Sequence, residues 1–337
     1  MLLIVGAPRA VPAALIVNVS ELDVYPSVVM TSIVAVPDSA TSEAGMFASS
    51  SVAETKVVAI DVHVHAERNQ HEEPDPVTTE MLDAAARYFG GHPPQPTAQE
   101  VADYYRERNM AAVIFNVDDE AGMGRRRLGN SEVLDAARAN PDVLIPFGSV
   151  DPHKGKLAVR EATELIEAGV RGFKFHPNTQ AFWPNDPAWF PLYDVIASAG
   201  LIALFHSGTT GIGAGMPGGG GVRLKYSNPM AVDDVAAEFP GLDIILAHPS
   251  FPWQEEALAI SVHKPNVYID LSGWSPKYFP EILIQYTNTR LKDKMLFGSD
   301  FPLITPDRWL ADFEKLPIKD EVRPLVLKRN AARLLGL

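Results

Sequence analysis

An apolar run that ends in two histidines, VVAIDVHVH, occupies residues Val57–His65. Short runs rich in β-branched side chains are typical of strands that are buried on both faces, as in parallel sheets. A doubly wound sheet that binds a nucleotide needs a glycine-rich phosphate turn after its first strand. Because this run ends in His63 and His65 instead, it favours a fold whose strand ends carry side chains for chemistry.

Seven further apolar runs follow, and each ends in a polar or Gly/Pro cluster before a segment of helical period. Gly169, Gly200 and Gly241 are predicted to stop the helices ahead of three of them. Alternating strands and helices of this number predict an α/β fold, a (β/α)8 TIM barrel over residues 56–337. Residues 1–55 are nearly free of Lys and Arg and are predicted to form an N-terminal extension of no assigned role. The seven runs are Ala111–Val117, Val143–Val150, Arg171–His176, Leu201–His206, Asp243–His248, Asn266–Leu271 and Lys294–Asp300.

Composition excludes several classes of function. The chain carries 29 Lys and Arg against 42 Asp and Glu, a formal net charge of −13. Nucleic acids and anionic membranes are bound by clustered Lys and Arg, so we expect neither as a partner, and we interpret residues 125–127 (Arg-Arg-Arg) as a solvated loop. No stretch reaches the roughly 18 apolar residues of a membrane span. Since cysteine is absent, a metal would be held by imidazole and carboxylate groups, and we predict a cytoplasmic protein.

Four of the predicted strands end in imidazole or carboxylate side chains. His63 and His65 lie two apart on the first strand and are predicted to share one face, whereas His206, His248 and Asp300 end strands five, six and eight. Catalytic groups of a barrel lie at these carboxyl ends. A single histidine after a strand is more often structural, but burying all of these groups together without an ion would be costly.

A divalent metal removes that cost. His63, His65, His206 and Asp300 make a set of nitrogen and hard-oxygen donors that suits zinc, ahead of manganese or iron. Asp61 has the same strand parity as His63 and is left out of this set as a residue that lines or supports the site.

Strand four adds Lys174 and His176, which share one face of the strand. Lys174 is interpreted as a point charge that binds a carboxylate or carbonyl of the substrate. His176 is interpreted as a substrate contact or an additional acid or base.

Loops after the strands supply candidate substrate contacts. The glycine-rich segment 207–226 follows strand five and contains Arg223 and Lys225, which would bind an anionic group. A solvated loop with incidental cations is the alternative interpretation of that segment. Trp253 and Trp274 follow strands six and seven and would wall a pocket for a planar aromatic group.

The ordered set of motifs resembles the amidohydrolase superfamily, and more narrowly its amidohydrolase-related branch, which includes aminocarboxymuconate-semialdehyde decarboxylase. The resemblance covers residues 57–337 and rests on the Asp-Val-His-Val-His start, the two single histidines, the Gly-Ser-Asp-Phe-Pro segment and the closing Asn-Ala-Ala-Arg-Leu-Leu helix. These are Asp61–His65, His206, His248, Gly298–Pro302 and Asn330–Leu335.

The resemblance implies one zinc ion on the four ligands given above, with His248 beside it as an acid, a base or a carbonyl polariser. Binuclear amidohydrolases place a carbamylated lysine bridge at the position of Lys174, which keeps a second ion open, but the branch is mostly mononuclear. Its aromatic-acid decarboxylases often carry Glu where His63 stands, so this chain differs from that subgroup. The branch also implies a homodimer or homotetramer.

The resulting prediction is a zinc-dependent hydrolase that cleaves a bond next to a carbonyl in a small aromatic or carboxylated metabolite. A metal-activated water would attack, His248 or Asp300 would take its proton, and His248 or Lys174 would stabilise the oxyanion. A non-oxidative decarboxylase, which would use the same residues, is the alternative. A metal-binding barrel without turnover is the third, and it is disfavoured by the acid and base groups that the chain offers.

Overall fold

The structure is a computed structural model and describes residues 57–69, 75–89, 91 and 94–337. The predicted N-terminal extension therefore lies outside the described residues. All eight predicted strands are present in the described part, each within or close to its predicted run. They are β1 (Ala59–His65), β2 (Met110–Phe115), β3 (Leu144–Pro146), β4 (Gly172–Phe175), β5 (Ile202–His206), β6 (Asp243–Ala247), β7 (Val267–Asp270) and β8 (Met295–Leu296).

Every neighbouring pair of strands is parallel, in the order β1-β2-β3 and β4-β5-β6-β7-β8. Backbone hydrogen bonds join the two sheets at both seams. Between β3 and β4, the Gly148 amide donates to the Gly172 carbonyl at 2.9 Å, and between β8 and β1 the Val62 amide donates to the Phe297 carbonyl at 2.9 Å. The eight strands thus close into a barrel, and the predicted TIM-barrel fold is confirmed.

Helices follow the strands and form the outer layer. Gly169, with φ 100°, is the C-cap of α5 as predicted, and Gly200, with φ 64°, follows α7. Gly241 does not act as a cap, because α8 already ends at Glu238 and Phe239 is its C-cap. The helices of the described residues are α1 (Pro76–Phe89), α2 (Ala98–Glu107), α3 (Glu120–Met123), α4 (Asn130–Ala139), α5 (Lys156–Ala168), α6 (Pro177–Gln180), α7 (Phe190–Ser198), α8 (Met230–Glu238), α9 (Gln254–His263), α10 (Glu281–Thr287), α11 (Pro306–Phe313) and α12 (Asn330–Leu335).

The barrel interior is filled by apolar side chains from the strands, and a larger apolar layer packs between strands and helices. Interior side chains include Val113 and Phe115 of β2, Leu204 of β5 and Leu296 of β8. These side chains form an apolar layer below the carboxyl ends of the strands. No helix within the described ranges is long and apolar enough to cross a lipid bilayer.

The register of β1 against β2 shifts between Asp61 and Val64. As a result Asp61 and His63 have different neighbours. Asp61 accepts a hydrogen bond from the Tyr105 hydroxyl of α2 at 2.7 Å, whereas the His63 ring lies 5.1 Å from the interior Phe115 ring. Asp61 therefore does not share a face with His63, contrary to the prediction from strand parity, because a bulge changes which face later residues occupy.

The arginine run is not a solvated loop. Arg125 makes two hydrogen bonds to the buried Asp119 carboxylate at 2.7 and 2.8 Å, and Arg127 donates to Asp118 and Glu161 at 2.7 Å each. The guanidinium groups neutralise the buried Asp119 and Asp118 carboxylates, and Asp118 also pairs with Lys154 at 2.7 Å. Arg125 and Arg127 therefore form ion pairs within the fold.

Candidate metal centre and active site

Three of the predicted ligands converge at the mouth of the barrel. The Asp300 Oδ1 atom lies 3.3 Å from His63 Nε2 and 3.3 Å from His65 Nε2. The Asp300 amide donates to the His63 carbonyl at 3.0 Å, and Asp300 has a positive φ of 70° in the turn after β8. That turn brings the carboxylate back over the end of β1.

His206 and His248 lie on the other side of this group. His248 Nε2 is 3.0 Å from His206 Nδ1. His63, His248 and Asp300 each offer one donor atom, and these atoms lie within 4.8 Å of one another. His206 Nε2 is buried and has no hydrogen-bond partner among the described residues.

These observations fit a divalent metal. The donors are imidazole nitrogens and a carboxylate, which zinc and manganese accept, and an unpartnered buried nitrogen is costly unless something binds it. His63, His65, His206 and Asp300 remain the predicted ligands. His248, which was predicted to lie beside the ion, is close enough to His63 and Asp300 to share the same centre.

Asp270 and Ser272 belong to the site and were missed by the sequence analysis. Asp270 ends β7 and is fully buried, and its Oδ2 atom is 2.9 Å from His63 Nδ1. Ser272 Oγ lies 2.8 Å from His248 Nδ1 and donates to Asp270 Oδ1. The available signal was a carboxylate at the carboxyl end of an apolar strand, the same signal that identified Asp300.

Burial and charge decide the protonation of these groups. Burial, reinforced by the nearby Lys174 ammonium, lowers the pKa of His63 to about 3, so this imidazole is neutral. Burial also acts to raise the pKa of Asp300, but the hydrogen bond from His65 and the surrounding imidazoles hold it well below its ordinary value. His63 is therefore a neutral imidazole and Asp300 an ionised carboxylate, the forms that bind a metal.

Lys174 is fully buried, and its Nζ atom lies 3.1 Å from His63 Nε2. Burial lowers the pKa of Lys174 to about 8, against the opposing effect of the Asp270 and Asp300 carboxylates. The Lys174 amine therefore contacts the centre directly. Because its pKa is close to neutral pH, its protonation depends on the charge of what binds at the centre.

His176 lies beside the centre. Its ring stacks on His206, with centroids 3.9 Å apart and planes 9° from parallel. Its Nδ1 atom accepts a hydrogen bond from the Thr179 amide at 3.4 Å, at the start of α6. These contacts orient one face and one nitrogen of His176, and they place it against a predicted metal ligand.

A cavity of about 420 Å³ opens between the loops after β4, β5 and β6. Of the predicted substrate contacts, Lys225 and Trp253 line it, and Arg223 and Trp274 do not. Arg223 is exposed, and Trp274 packs against Phe251 with ring centroids 5.4 Å apart. The cavity is lined by Trp183, Asn185, Lys225, Asn228, Met230, Ala231, Asp234 and Trp253.

Two glycines allow loops to approach closely at the mouth. Gly208, with φ 88°, follows β5, and a Cβ there would lie 2.7 Å from the Phe251 carbonyl oxygen. Gly273, with φ 72°, follows β7, and a Cβ there would lie 2.4 Å from His248 Nδ1. Any other residue at 273 would displace the His248 ring.

Solved structures of other proteins share this fold. An uncharacterised TIM-barrel protein from Bordetella bronchiseptica is 23% identical, with 82% of this chain and 98% of that chain covered and a TM-score of 0.69. A 5-carboxyvanillate decarboxylase from Sphingomonas paucimobilis is 16% identical, with 83% and 99% covered and a TM-score of 0.59. A probable 2-pyrone-4,6-dicarboxylic acid hydrolase from Acinetobacter baumannii is 17% identical, with 83% and 100% covered and a TM-score of 0.56. At these identities the likeness concerns the fold.

Among curated proteins, Protein fluG of Emericella nidulans is 27% identical over 99 residues, which are 27% of this chain. The chain spans 11% of the length of that relative. The amidohydrolase family model matches residues 60–337, which include the barrel strands, except for the first residue of β1, and every residue of the centre. The chain therefore belongs to the amidohydrolase family.

Proposed function

We propose that this protein is a zinc-dependent hydrolase that cleaves a bond next to a carbonyl in a small aromatic or carboxylated metabolite. The observation that carries the proposal is the convergence of His63 Nε2 and His65 Nε2 on Asp300 Oδ1, at 3.3 Å each, beside His248. Such a group of imidazoles and one carboxylate at the carboxyl ends of barrel strands supports metal-assisted chemistry.

His63, His65, His206 and Asp300 would hold the ion. A divalent ion there supplies a Lewis acid that polarises a carbonyl and lowers the pKa of water. Zinc suits a nitrogen-rich set, and a structural neighbour, a 5-carboxyvanillate decarboxylase from Novosphingobium aromaticivorans, was solved with bound manganese. Metal analysis of the purified protein distinguishes the two ions.

The protonation state of His248 supports hydrolysis. Burial lowers the pKa of His248, although the Asp300 and Asp270 carboxylates oppose this effect. At neutral pH His248 is therefore in the base form, ready to take a proton from an attacking water. Decarboxylation would instead need an acid that delivers a proton to the carbanion left by CO₂.

The proposed substrate class is supported by Lys174 at the centre and by the groups that line the cavity between the loops after β4, β5 and β6. The buried Lys174 amine offers a positive charge for a substrate carboxylate or for the oxyanion that forms on attack. Trp183 and Trp253 offer aromatic faces in the cavity, and Lys225 adds a cation there. Together these groups suit a planar substrate that carries an anionic group.

Non-oxidative decarboxylation of an aromatic or unsaturated acid is the second candidate. It is favoured by the fold neighbours that are decarboxylases, among them the 5-carboxyvanillate enzyme and a 2,6-dihydroxybenzoate decarboxylase. Lys174 could hold the departing carboxylate in this reaction as well.

Product analysis tests the two candidates against each other. The metal-loaded protein is incubated in ¹⁸O-labelled water with a panel of aromatic carboxylic acids, esters, thioesters and β-dicarbonyl compounds. Hydrolysis is expected to place one solvent oxygen in the acidic product and to release no CO₂. Release of CO₂ from the substrate, without incorporation of solvent oxygen into the organic product, would establish decarboxylation and overturn the proposal.

Trp253→Ala is expected to raise KM for an aromatic substrate by about fivefold, because loss of an aromatic contact removes about 1 kcal/mol of binding. Steady-state kinetics measure the change. Trp274→Ala is the matched control, since Trp274 packs on Phe251 away from the cavity, and its KM should stay within about twofold. Equal increases in the two variants would show that the cavity is not the substrate site.

A further inference from the structure

The Asp270 carboxylate lies between two of the histidines at the mouth. Its Oδ2 atom faces His63 Nδ1 at 2.9 Å. Its Oδ1 atom accepts from the backbone amides of Ser272 at 2.9 Å and His248 at 3.3 Å, and from the Ser272 hydroxyl. Two amide donors therefore aim at Oδ1, which makes this oxygen an acceptor.

The number of protons then fixes the direction of the next hydrogen bond. A serine hydroxyl carries one hydrogen, and Ser272 gives it to Asp270 Oδ1. The 2.8 Å contact between Ser272 Oγ and His248 Nδ1 must therefore be donated by His248. A neutral imidazole has one N–H group, so Nε2 of His248 has a lone pair.

The same count extends to His206. His248 Nε2 and His206 Nδ1 are 3.0 Å apart, and since His248 has no proton there, His206 must donate from Nδ1. This leaves a lone pair on His206 Nε2, the buried nitrogen without a partner among the described residues. On the other side, His63 donates from Nδ1 to Asp270 and keeps its lone pair on Nε2.

We propose that Asp270, acting directly on His63 and through the Ser272 hydroxyl on His248, sets the tautomers of the histidines around the metal centre. His63 and His206 are thereby held with Nε2 ready to bind a metal. His248 is held with Nε2 free of a proton. Asp270 and Ser272 are positioning residues, because they act through the imidazoles.

The catalytic consequence rests on the proposed function. His248 Nε2 accepts the Nδ1–H group of His206 at 3.0 Å, so a proton from water must displace that hydrogen bond. The imidazolium that forms still donates from Nδ1 to Ser272, and its positive charge lies two hydrogen bonds from the Asp270 carboxylate. Loss of the Ser272 hydroxyl removes the acceptor for that N–H group. Outer partners of this kind are worth about 10- to 100-fold in metal affinity or activity.

The tautomers are measured directly by NMR on the full-length, zinc-loaded protein labelled with ¹⁵N-histidine, at neutral pH. Long-range ¹H–¹⁵N spectra show which ring nitrogen carries the proton, and His248→Gln identifies the His248 signals. We expect His248 to be protonated at Nδ1 in the wild type. In Ser272→Ala we expect a mixture of His248 tautomers, while His63 keeps its proton on Nδ1.

Ser261→Ala is the matched control, because Ser261 is also fully buried but its hydroxyl has no partner among the described residues. It should leave every histidine signal unchanged. Ser272→Thr keeps a hydroxyl and should restore the Nδ1 tautomer, which separates the relay from a packing effect. Where a substrate is known, Ser272→Ala should lower kcat by about 10- to 100-fold and leave KM within about twofold.

A wild-type His248 protonated at Nε2, or a Ser272→Ala variant with an unchanged His248 tautomer, would overturn the proposal. The NMR result does not depend on turnover. Absence of hydrolysis on the substrate panel would therefore count against the proposed function and leave the tautomer assignment standing.

Discussion

Replacing Asp300 with Asn is expected to lower kcat/KM by about 1,000-fold and to reduce bound metal well below one ion per chain. The Asp300 carboxylate is the shared partner of His63 and His65 at 3.3 Å. Asn removes the negative charge but keeps the shape, so the donor set loses its one carboxylate. Metal chemistry of this kind contributes several kcal/mol to the transition state, and each 1.36 kcal/mol is tenfold in rate.

Metal content by elemental analysis and kcat/KM are measured on the same preparation. Asp307→Asn is the control, because Asp307 lies on α11 in an exposed ion pair with Arg108, and it should retain metal and activity. If Asp300→Asn bound a full equivalent of metal and turned over at the wild-type rate, the assignment of the centre would be wrong.

Trp309→Ala is expected to lower the free energy of unfolding by about 4 kcal/mol, the usual cost of removing a large buried aromatic side chain. Trp309 of α11 is 0% exposed, and its ring centroid lies 4.7 Å from Phe297 and 4.8 Å from Phe313. Its Nε1 atom also donates to the Leu271 carbonyl at 3.0 Å. Leu271 joins Asp270 to Ser272, so the substitution should loosen the segment that carries both residues.

Urea unfolding followed by circular dichroism measures the change. Trp183→Ala removes the same side chain where it is 39% exposed, and it should cost less than about 1 kcal/mol. A similar loss in both variants would mean that Trp309 does not carry the packing between α11 and the barrel.

The eight strands could be predicted because parallel barrel strands are buried on both faces and leave continuous apolar runs in the sequence. Several predicted runs are longer than the strands that they contain. For β8 the predicted run is Lys294–Asp300, whereas the strand is Met295–Leu296. The difference has a physical cause: the Phe297 amide donates to the Val326 carbonyl instead of to a strand, and the chain then turns at Asp300. Apolar character continues to Phe297, of which only the carbonyl still bonds to a strand, by accepting from the Val62 amide at 2.9 Å.

The face of each residue near the end of β1 could not be predicted. A strict alternation assigns Asp61 and His63 to one face, but the register shift against β2 separates them. A bulge is set by the hydrogen bonds of the neighbouring strands, which a local pattern does not contain. Asp61 instead accepts the amides of His63 and Ser299, at 3.1 and 3.0 Å, and thereby ties β1 to the turn after β8.

The amino-acid pattern was sufficient to predict which types of donor atom the site contains and at which end of the barrel they lie. Both depend on the apolar runs and on the residues that end them. The pairing of individual nitrogen and oxygen atoms could be known only from the folded chain. His63 and Asp270 are 207 residues apart in sequence, yet His63 Nδ1 and Asp270 Oδ2 lie 2.9 Å apart. Hydrogen bonds act over about 3 Å, and such distances between side chains on different strands are set by how the barrel closes.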